Sequence, residues 1–379
     1  MHLRYGRFLV VGLLGLFLST PIVSYAQATF TPDTVTIEKA RVVEVVDQQN
    51  SIIPGTDTPF VSQTLTVRIL SGPEANSTIT FENDYTQLSP GDVFYLRHTT
   101  NTLDGTDYYS VSDPYRLNVL AVLAVLFILL IIVFGGIQGV RGFASLCGSF
   151  LLIFYVLMPG ILQGYSPILV SIGVSSLVIV VGSYITHGFN RTTTAAVLGM
   201  IGTVLITGLL AYWAIDAAHL SGYGSEEGVY LNFNMRGTID LVGLLYGGIM
   251  IGLLGVLYDI AISQAIAIEE LFRAGVHMTR AHVYGRAIRI GREHIGALVN
   301  TLAIAYVGAA LPLLLLVQSS TYGLMYIVNS ELFATEIVRI LIGSIGLVLG
   351  VPITTVIASY MLSGYTKPLQ AGEGHSHHH

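Results

Sequence analysis

Long apolar runs alternate with short polar connections over most of the chain. A run of about 20 residues makes about 30 Å of helix, which is enough to cross the hydrocarbon core of a bilayer. This criterion predicts seven membrane-spanning helices, at 117–136, 143–162, 167–186, 194–215, 241–268, 295–318 and 337–362. The fold class that follows is a polytopic α-helical membrane bundle over residues 115–366.

A basic and then apolar stretch stands at the start of the sequence. Arg4 and Arg7 precede the apolar run 8–18, and small residues follow at 24–28. This order is typical of a secretory signal peptide over residues 1–28, and the alternative is an uncleaved anchor helix. Under either interpretation the next segment lies outside the cytoplasm.

Residues 29–114 have a different pattern, with short β-rich runs separated by turn formers. Alternation of polar and apolar residues in 64–70 is that of a half-buried strand. The runs predict strands at 35–37, 40–46, 62–70, 77–81, 93–97 and 108–112. We therefore expect a small extracytoplasmic all-β domain, an OB-like or SH3-like barrel. Without an aromatic stacking stripe or a basic track, a structural or gating role is favoured over ligand binding.

Composition agrees with a lipid environment, because 53% of the residues are hydrophobic and only 11% are charged. The net charge of −6 and the gathering of basic residues near helix ends argue against a nucleic-acid partner. Arginines concentrate in the connections that the predicted topology places inside, which favours the cell membrane with a cytoplasmic C-terminus. Residues 367–379 predict a flexible His-rich tail, either a metal-binding tail or a purification-tag remnant.

The span 241–268 carries a small and polar face. Gly248, Gly252, Gly255, Asp259 and Ser263 are separated by four, three, four and four residues, so they fall on one side of a helix. Polar groups are costly in hydrocarbon unless they have partners, so Asp259 is a candidate functional residue. The glycines are predicted to provide close helix packing.

A second polar face follows in the span 295–318, where Arg292, Gly296 and Asn300 are four residues apart. The two helices run antiparallel, with Asp259 about 14 Å and Asn300 about 9 Å from the cytoplasmic ends. The two side chains are therefore predicted to reach each other.

Three uses of Asp259 remain open at this point. The first is uptake and release of a proton during transport, and the second is ligation of a cation together with Ser263, Asn300 and Thr301. The third is a structural role, either as a hydrogen bond between helices or as an acid at the headgroup boundary. Catalysis is not favoured, because the chain lacks a second mid-membrane aspartate, Gly-x-Ser-x-Gly and His-Glu-x-x-His. No enzyme activity and no cofactor are expected, and the identity of any metal stays undetermined.

Further residues are assigned by their position in the spans. Tyr306 is predicted to line the polar region, Gly296 and Gly308 to pack helices closely, and Pro312 and Pro352 to bend their spans. The segment between the two central spans predicts a basic loop at the cytoplasmic membrane surface that contains Arg280, Arg286, Arg289 and Arg292.

Three segments carry a resemblance to a known family, namely 255–263 (GVLYDIAIS), 291–296 (GREHIG) and 300–314 (NTLAIAYVGAALPLL). With these segments the chain resembles the YibE/F-like bacterial membrane proteins, over most of its length and including the β-rich segment. The resemblance implies a bacterial multi-pass protein and adds no substrate. The segment 273–286 is richer in histidine and arginine than the family pattern.

These observations favour a permease or exporter of a small solute or ion that is embedded in the lipid bilayer. Transport would be coupled through Asp259. The competing hypothesis is a non-transporting membrane scaffold or sensor whose external β domain receives a signal. A homo-oligomer is compatible with both.

Overall fold

The structure is a computed structural model that describes residues 33–53, 55–275 and 278–364. It divides into two compact units, of which the first ends at Val125 and the second begins at Leu126. The predicted signal peptide and the predicted His-rich tail lie outside the described residues.

The first unit is an antiparallel sheet with the strand order β3-β2-β1-β4-β5. Its strands are β1 (Thr34–Ile52), β2 (Pro59–Ile69), β3 (Thr78–Asn83), β4 (Val93–Thr100) and β5 (Asp107–Pro114). Two of the predicted strands, 35–37 and 40–46, form the single long β1. Register shifts between Val42 and Glu44 and between Val45 and Asp47 let β1 bend, so that its first half pairs with β4 and its second half with β2.

One face of this curved sheet is a hydrophobic core. The alternation predicted in β2 is present, since Leu65, Val67 and Ile69 are each fully buried. The edge strands β3 and β5 approach each other, which makes the sheet a half-barrel. The buried apolar residues of this core are Ala40, Val42, Leu65, Val67, Ile69, Leu88, Phe94, Leu96 and Val111.

The rest of the described chain is helical. The helices are α1 (Leu117–Leu152), which continues through a π-helical turn (Ile153–Leu157) into α2 (Met158–Leu162), α3 (Pro167–His187), α4 (Arg191–Ala217), α5 (Glu226–Asn234), α6 (Leu241–Ala274), α7 (Arg280–Ala309), α8 (Leu311–Ser319), α9 (Leu324–Asn329) and α10 (Glu331–Met361).

Five of these helical stretches are long and apolar enough to cross a membrane, and α7 with α8 makes a sixth if the bent pair counts as one span. The first stretch, Leu117–Leu162, covers two of the predicted spans. Its helix is interrupted at Gly136, which has φ +53° and ψ −143°. The rings of Phe127 and Phe143 are 6.4 Å apart, whereas a straight helix would separate these residues by about 24 Å. The chain therefore folds back at Gly136.

The core of the second unit lies between α4, α6 and α10. Small residues bring these helices together, as lipid provides no hydrophobic drive for their association. A Cβ atom on Gly199 would overlap Thr354, and one on Gly346 would overlap Thr207. The hydroxyl of Thr203 donates to the carbonyl of Gly199 at 2.8 Å, so that its polar group is satisfied within its own helix.

Candidate functional site

The small and polar residues of α6 share one exposed face of the helix. Gly248, Gly252, Gly255, Asp259 and Ser263 are all exposed, whereas the opposite side of α6 is buried in the core. The spacing in the sequence thus places these five residues correctly on a single face. We call them the α6 polar face.

Asp259 has no protein partner on this face. Within residues 33–53, 55–275 and 278–364, no side chain makes a hydrogen bond or an ion pair with Asp259, Ser263 or Asn300. Asn300 is exposed on α7, and the hydroxyl of Thr301 donates to the Ala297 carbonyl of its own helix at 2.9 Å. The hydrogen bond predicted between Asp259 and Asn300 is not formed.

Tyr306 of α7 crosses over the α6 polar face. Its half-buried side chain places the hydroxyl against Gly252, where a Cβ atom would overlap it. The other glycines assigned to close packing do not pack in this way. A Cβ atom would meet nothing within 4 Å at Gly248, Gly255, Gly296 or Gly308. The predicted close packing of these four is absent among the described residues, because they lie on exposed helix faces.

A cavity of about 190 Å³ lies beside Gly248, where α5, α6 and α10 meet. Thr335, Glu336 and Arg339 of α10 line one wall, and Glu227 of α5 lines another. Apolar side chains complete the lining, among them Leu231, Leu241, Leu244 and Leu245. We call this space the α10 cavity.

The charged pair in the α10 cavity is half-buried. Arg339 donates to Glu336 at 2.8 Å, and the two side chains are 29% and 25% exposed. The Nε atom of Arg339 and the hydroxyl of Thr335 are buried and have no hydrogen-bond partner among the described residues. Tyr306 lies within electrostatic range of both charges.

The predicted span 337–362 begins directly after Glu336, whereas α10 begins at Glu331, so Glu336 and Arg339 both lie within the helix. Glu336 and Arg339 are three residues apart at the start of an apolar run, and this spacing could have predicted that both are helical. Such a pair continues a helix and lies on one side of it.

A second cavity, of about 350 Å³, borders the α6 polar face at Gly255, between α1, α3 and α6. Gly255 and Tyr258 line it, together with the hydroxyl-bearing residues Ser145 and Ser149. The Tyr258 hydroxyl donates to the Gly182 carbonyl at 3.4 Å. The rest of this lining is mostly apolar. We call this space the α3 cavity.

Gln264 is a buried polar residue that sequence reasoning missed. It is 2% exposed, and its amide nitrogen donates to the Ala287 carbonyl and to the Thr355 hydroxyl, each at 2.8 Å. The side chain thus joins α6 to α7 and α10. Gln264 directly follows the exposed Ser263, but a rotation of 100° per residue turns it to the interior.

The basic segment is helical at both ends rather than a loop, because α6 extends to Ala274 and α7 begins at Arg280. Arg280 donates to the Ser363 hydroxyl at 2.8 Å and lies 5.3 Å from the centre of the Tyr360 ring. The other arginines of the segment, Arg286, Arg289 and Arg292, are all exposed.

The two prolines lie at different places in their helices. Pro312 lies in the first turn of α8, and the chain bends by 64° between α7 and α8, as expected. Pro352 lies inside α10, which continues as a helix to Met361.

The described residues contain no group of three or more His, Cys, Asp or Glu side chains arranged to hold a metal ion. Neither a curated protein nor a solved structure matches the chain significantly. The family model of the YibE/F-like proteins matches residues 123–364, more than half of the chain. This range contains the α6 polar face and both cavities but not the β strands. The chain therefore belongs to the YibE/F-like protein family.

Proposed function

We propose that this protein is a permease or exporter that moves a small solute or ion along the α6 polar face, with Asp259 as the coupling carboxylate. The observation that carries the proposal is the exposed Asp259, which has no partner among the described side chains. An acid in hydrocarbon costs about 2.5–3.5 kcal/mol on insertion scales. A group kept at that cost without a protein partner is suited to exchanging a proton or cation.

The depth of Asp259 supports this proposal. The helix α6 is about 51 Å long, and Asp259 lies about 27 Å from its Leu241 end and about 22 Å from its Ala274 end. The hydrocarbon core is about 30 Å thick. Wherever such a core is placed along an upright helix of this length, Asp259 falls inside it. A position at the headgroup boundary is therefore disfavoured.

The two cavities suggest the course of the path. Gly248 borders the α10 cavity, and Gly255 borders the α3 cavity. Gly252 lies between them on the same face, under the Tyr306 hydroxyl. In this proposal Tyr306 is the gate between the two cavities, and Ser263, Asn300 and Thr301 provide polar groups near Asp259.

The proposal also includes the topology. We infer seven crossings in the cell membrane, with the hairpin at Gly136 providing two of them and the bent pair α7 and α8 providing one. The β unit is proposed to lie outside as an OB-like barrel, and the C-terminus inside. In a homo-oligomer, a second copy would cover the open side of the α6 polar face.

The experiment is reconstitution in proteoliposomes that contain a pH-sensitive dye. Anionic, cationic, zwitterionic and neutral solutes are added in turn, and the internal pH is followed. We expect one solute class to change the internal pH with the wild-type protein but not with Asp259→Asn. Glu270→Gln is the matched control, since Glu270 lies three turns further along the same face and is exposed. An unchanged response in Asp259→Asn, or no response to any class, would refute proton coupling through Asp259. The same assay with a Na⁺- or K⁺-sensitive dye tests cation coupling, and no response with any of these dyes would refute the proposal.

The alternative is a scaffold or sensor that moves nothing, and the hydrogen bonds between and within the central helices favour it. Buried polar groups such as those of Gln264 and Thr203 are occupied by bonds within the chain. Under this alternative the α6 polar face is a docking surface for another protein. Pull-down that depends on Asp259, without any flux, would support this hypothesis over transport.

A further inference from the structure

We propose that the α10 cavity binds a small zwitterion, a molecule that carries one carboxylate and one ammonium group. This inference deepens the proposed function, because the cavity borders Gly248 at one end of the α6 polar face. It concerns residues that sequence reasoning did not select.

Two polar groups in the wall of this cavity lack partners. The Thr335 side chain is 95% buried, as 5% of the residue is exposed, and its hydroxyl makes no hydrogen bond to any described atom. The Nε–H of Arg339 is also without a partner there. The two residues are four apart in α10, so their side chains lie on the same side of the helix. Buried polar groups are usually paired. Among the unpartnered buried groups of the described helices, those of Thr335 and Arg339 are the ones that belong to residues lining the α10 cavity, where a ligand could supply the partner.

The chemistry of the two groups selects an oxygen acceptor. Arginine only donates, and its fork of N–H groups matches a carboxylate. One side of the guanidinium already donates to Glu336, which leaves the Nε–H for a ligand. The threonine hydroxyl can donate to the second oxygen or accept from a neighbouring ammonium group. A carboxylate therefore completes both orphan groups.

The charge balance of the cavity requires a cationic group on the same ligand. Arg339 is offset by Glu336, and the exposed Glu227 adds a further negative charge to the lining. The nearby Glu331 accepts from the Ser221 hydroxyl and backbone N–H, so it is occupied within the chain. A simple anion would thus enter a negative cavity, whereas the ammonium group of a zwitterion can face Glu227.

Size and lining restrict the ligand further. The cavity holds about 190 Å³, and leucines at 231, 241, 244 and 245 form its apolar part. This volume suits a small amino acid with a short apolar side chain, and it is too small for a dipeptide with large side chains.

The test measures ligand binding by the full-length protein in lipid nanodiscs, using thermal stabilisation and calorimetry. The probes are glycine, alanine, acetate and ethylamine. We expect glycine or alanine to stabilise the wild-type protein, and acetate and ethylamine to have little effect. Thr335→Val and Arg339→Gln should weaken this binding at least about tenfold, since each removes a hydrogen bond to a charged group. Arg236→Gln, an exposed arginine that does not line the cavity, is the matched control.

Thr335→Val also separates a binding role from a structural role. Valine has nearly the same shape and removes a buried hydroxyl that has no partner, so the ligand-free variant should be at least as stable as the wild type. A loss of stability without a loss of binding would overturn the inference, as would equal stabilisation by acetate or no stabilisation by any probe.

These experiments can refute the binding site and the permease independently of each other. Glycine binding that depends on Thr335, without any flux dependent on Asp259, would leave the site in place and refute the permease. Flux without binding of either amino acid would refute the site alone.

Discussion

Removal of the Gln264 amide tests how the three central helices are held together. The side chain is buried on the inner side of α6 and donates to the Ala287 carbonyl of α7 and the Thr355 hydroxyl of α10. Gln264→Leu has a similar volume and removes both bonds. It should therefore loosen the contact of α6 with α7 and α10 without leaving a cavity.

The expected loss can be worked from these contacts. Hydrogen bonds between membrane helices contribute roughly 0.6 kcal/mol on average and at most about 1.7 kcal/mol. The partners remain paired in the variant, because the Thr355 hydroxyl donates to the Val351 carbonyl at 2.6 Å and the Ala287 carbonyl lies within helix α7. Two lost bonds then correspond to about 1–3 kcal/mol. Gln264→Ala adds a cavity and should cost about 2 kcal/mol more.

The assay is equilibrium unfolding in mixed detergent micelles, followed by circular dichroism. Ser263→Ala is the matched control, as it is the preceding residue, is exposed and makes no hydrogen bond to a described residue. Asp259→Asn should likewise leave the free energy of unfolding within about 0.5 kcal/mol of the wild type. The reasoning fails if Gln264→Leu is as stable as the wild type, or if either control loses as much as Gln264→Leu.

Three further predictions concern other parts of the molecule. Gly136→Ala should cost roughly 1–3 kcal/mol, because its φ of +53° and ψ of −143° suit glycine, and cross-linking across the hairpin should fall. Gly346→Ala should lower the free energy of unfolding by about 1–3 kcal/mol, because the added Cβ atom would overlap Thr207. Gly308→Ala is the control and should not destabilise the helix, since a Cβ atom at Gly308 would meet nothing within 4 Å. A hydrogen bond from the Thr100 hydroxyl lowers the pKa of Asp107 below its ordinary value of 3.8. Protection of the β4–β5 amides from hydrogen exchange should therefore be full above pH 3.8 and be lost as the pH falls below it. Asp107→Asn should abolish this pH dependence.

The sequence predicted the type of each helix and strand more accurately than the residues at which it begins and ends. Alternation in β2 and apolar length in the helices are local signals, and both gave the correct type of structure. The ends of α6 and α7 were missed by six residues and by fifteen, because the charged turns at Glu269 and Arg280 are helical yet invisible to hydropathy. The two predicted strands are continuous in β1 because Glu38 and Lys39, the charged residues that separate them in the sequence, pair with Leu96 and Tyr95 of β4.

The candidate site could be predicted only within one helix. Spacing placed Asp259 and Ser263 on a common face of α6, since 3.6 residues per turn is an intrinsic property of the helix. Spacing does not determine how two helices are rotated about their axes. The predicted depths of Asp259 and Asn300 therefore did not ensure a contact, and no hydrogen bond joins the two side chains. The interior position of Gln264 was missed for the same reason.

Polar groups in the apolar helices divide into two sets with opposite expected effects on stability. Gln264 and Thr203 have partners within the chain. Asp259 and Thr335 have none among the described residues, and the same holds for the hydroxyls of Ser171, Ser175, Ser183, Thr207 and Thr354. An unpaired polar group in hydrocarbon costs several kcal/mol, a large part of the 5–15 kcal/mol that stabilises a typical protein. A bundle that served only as a structural support would be more stable without the second set. Substitution of Gln264 should therefore lower stability, whereas substitution of Asp259 or Thr335 should abolish flux or binding while leaving the bundle intact.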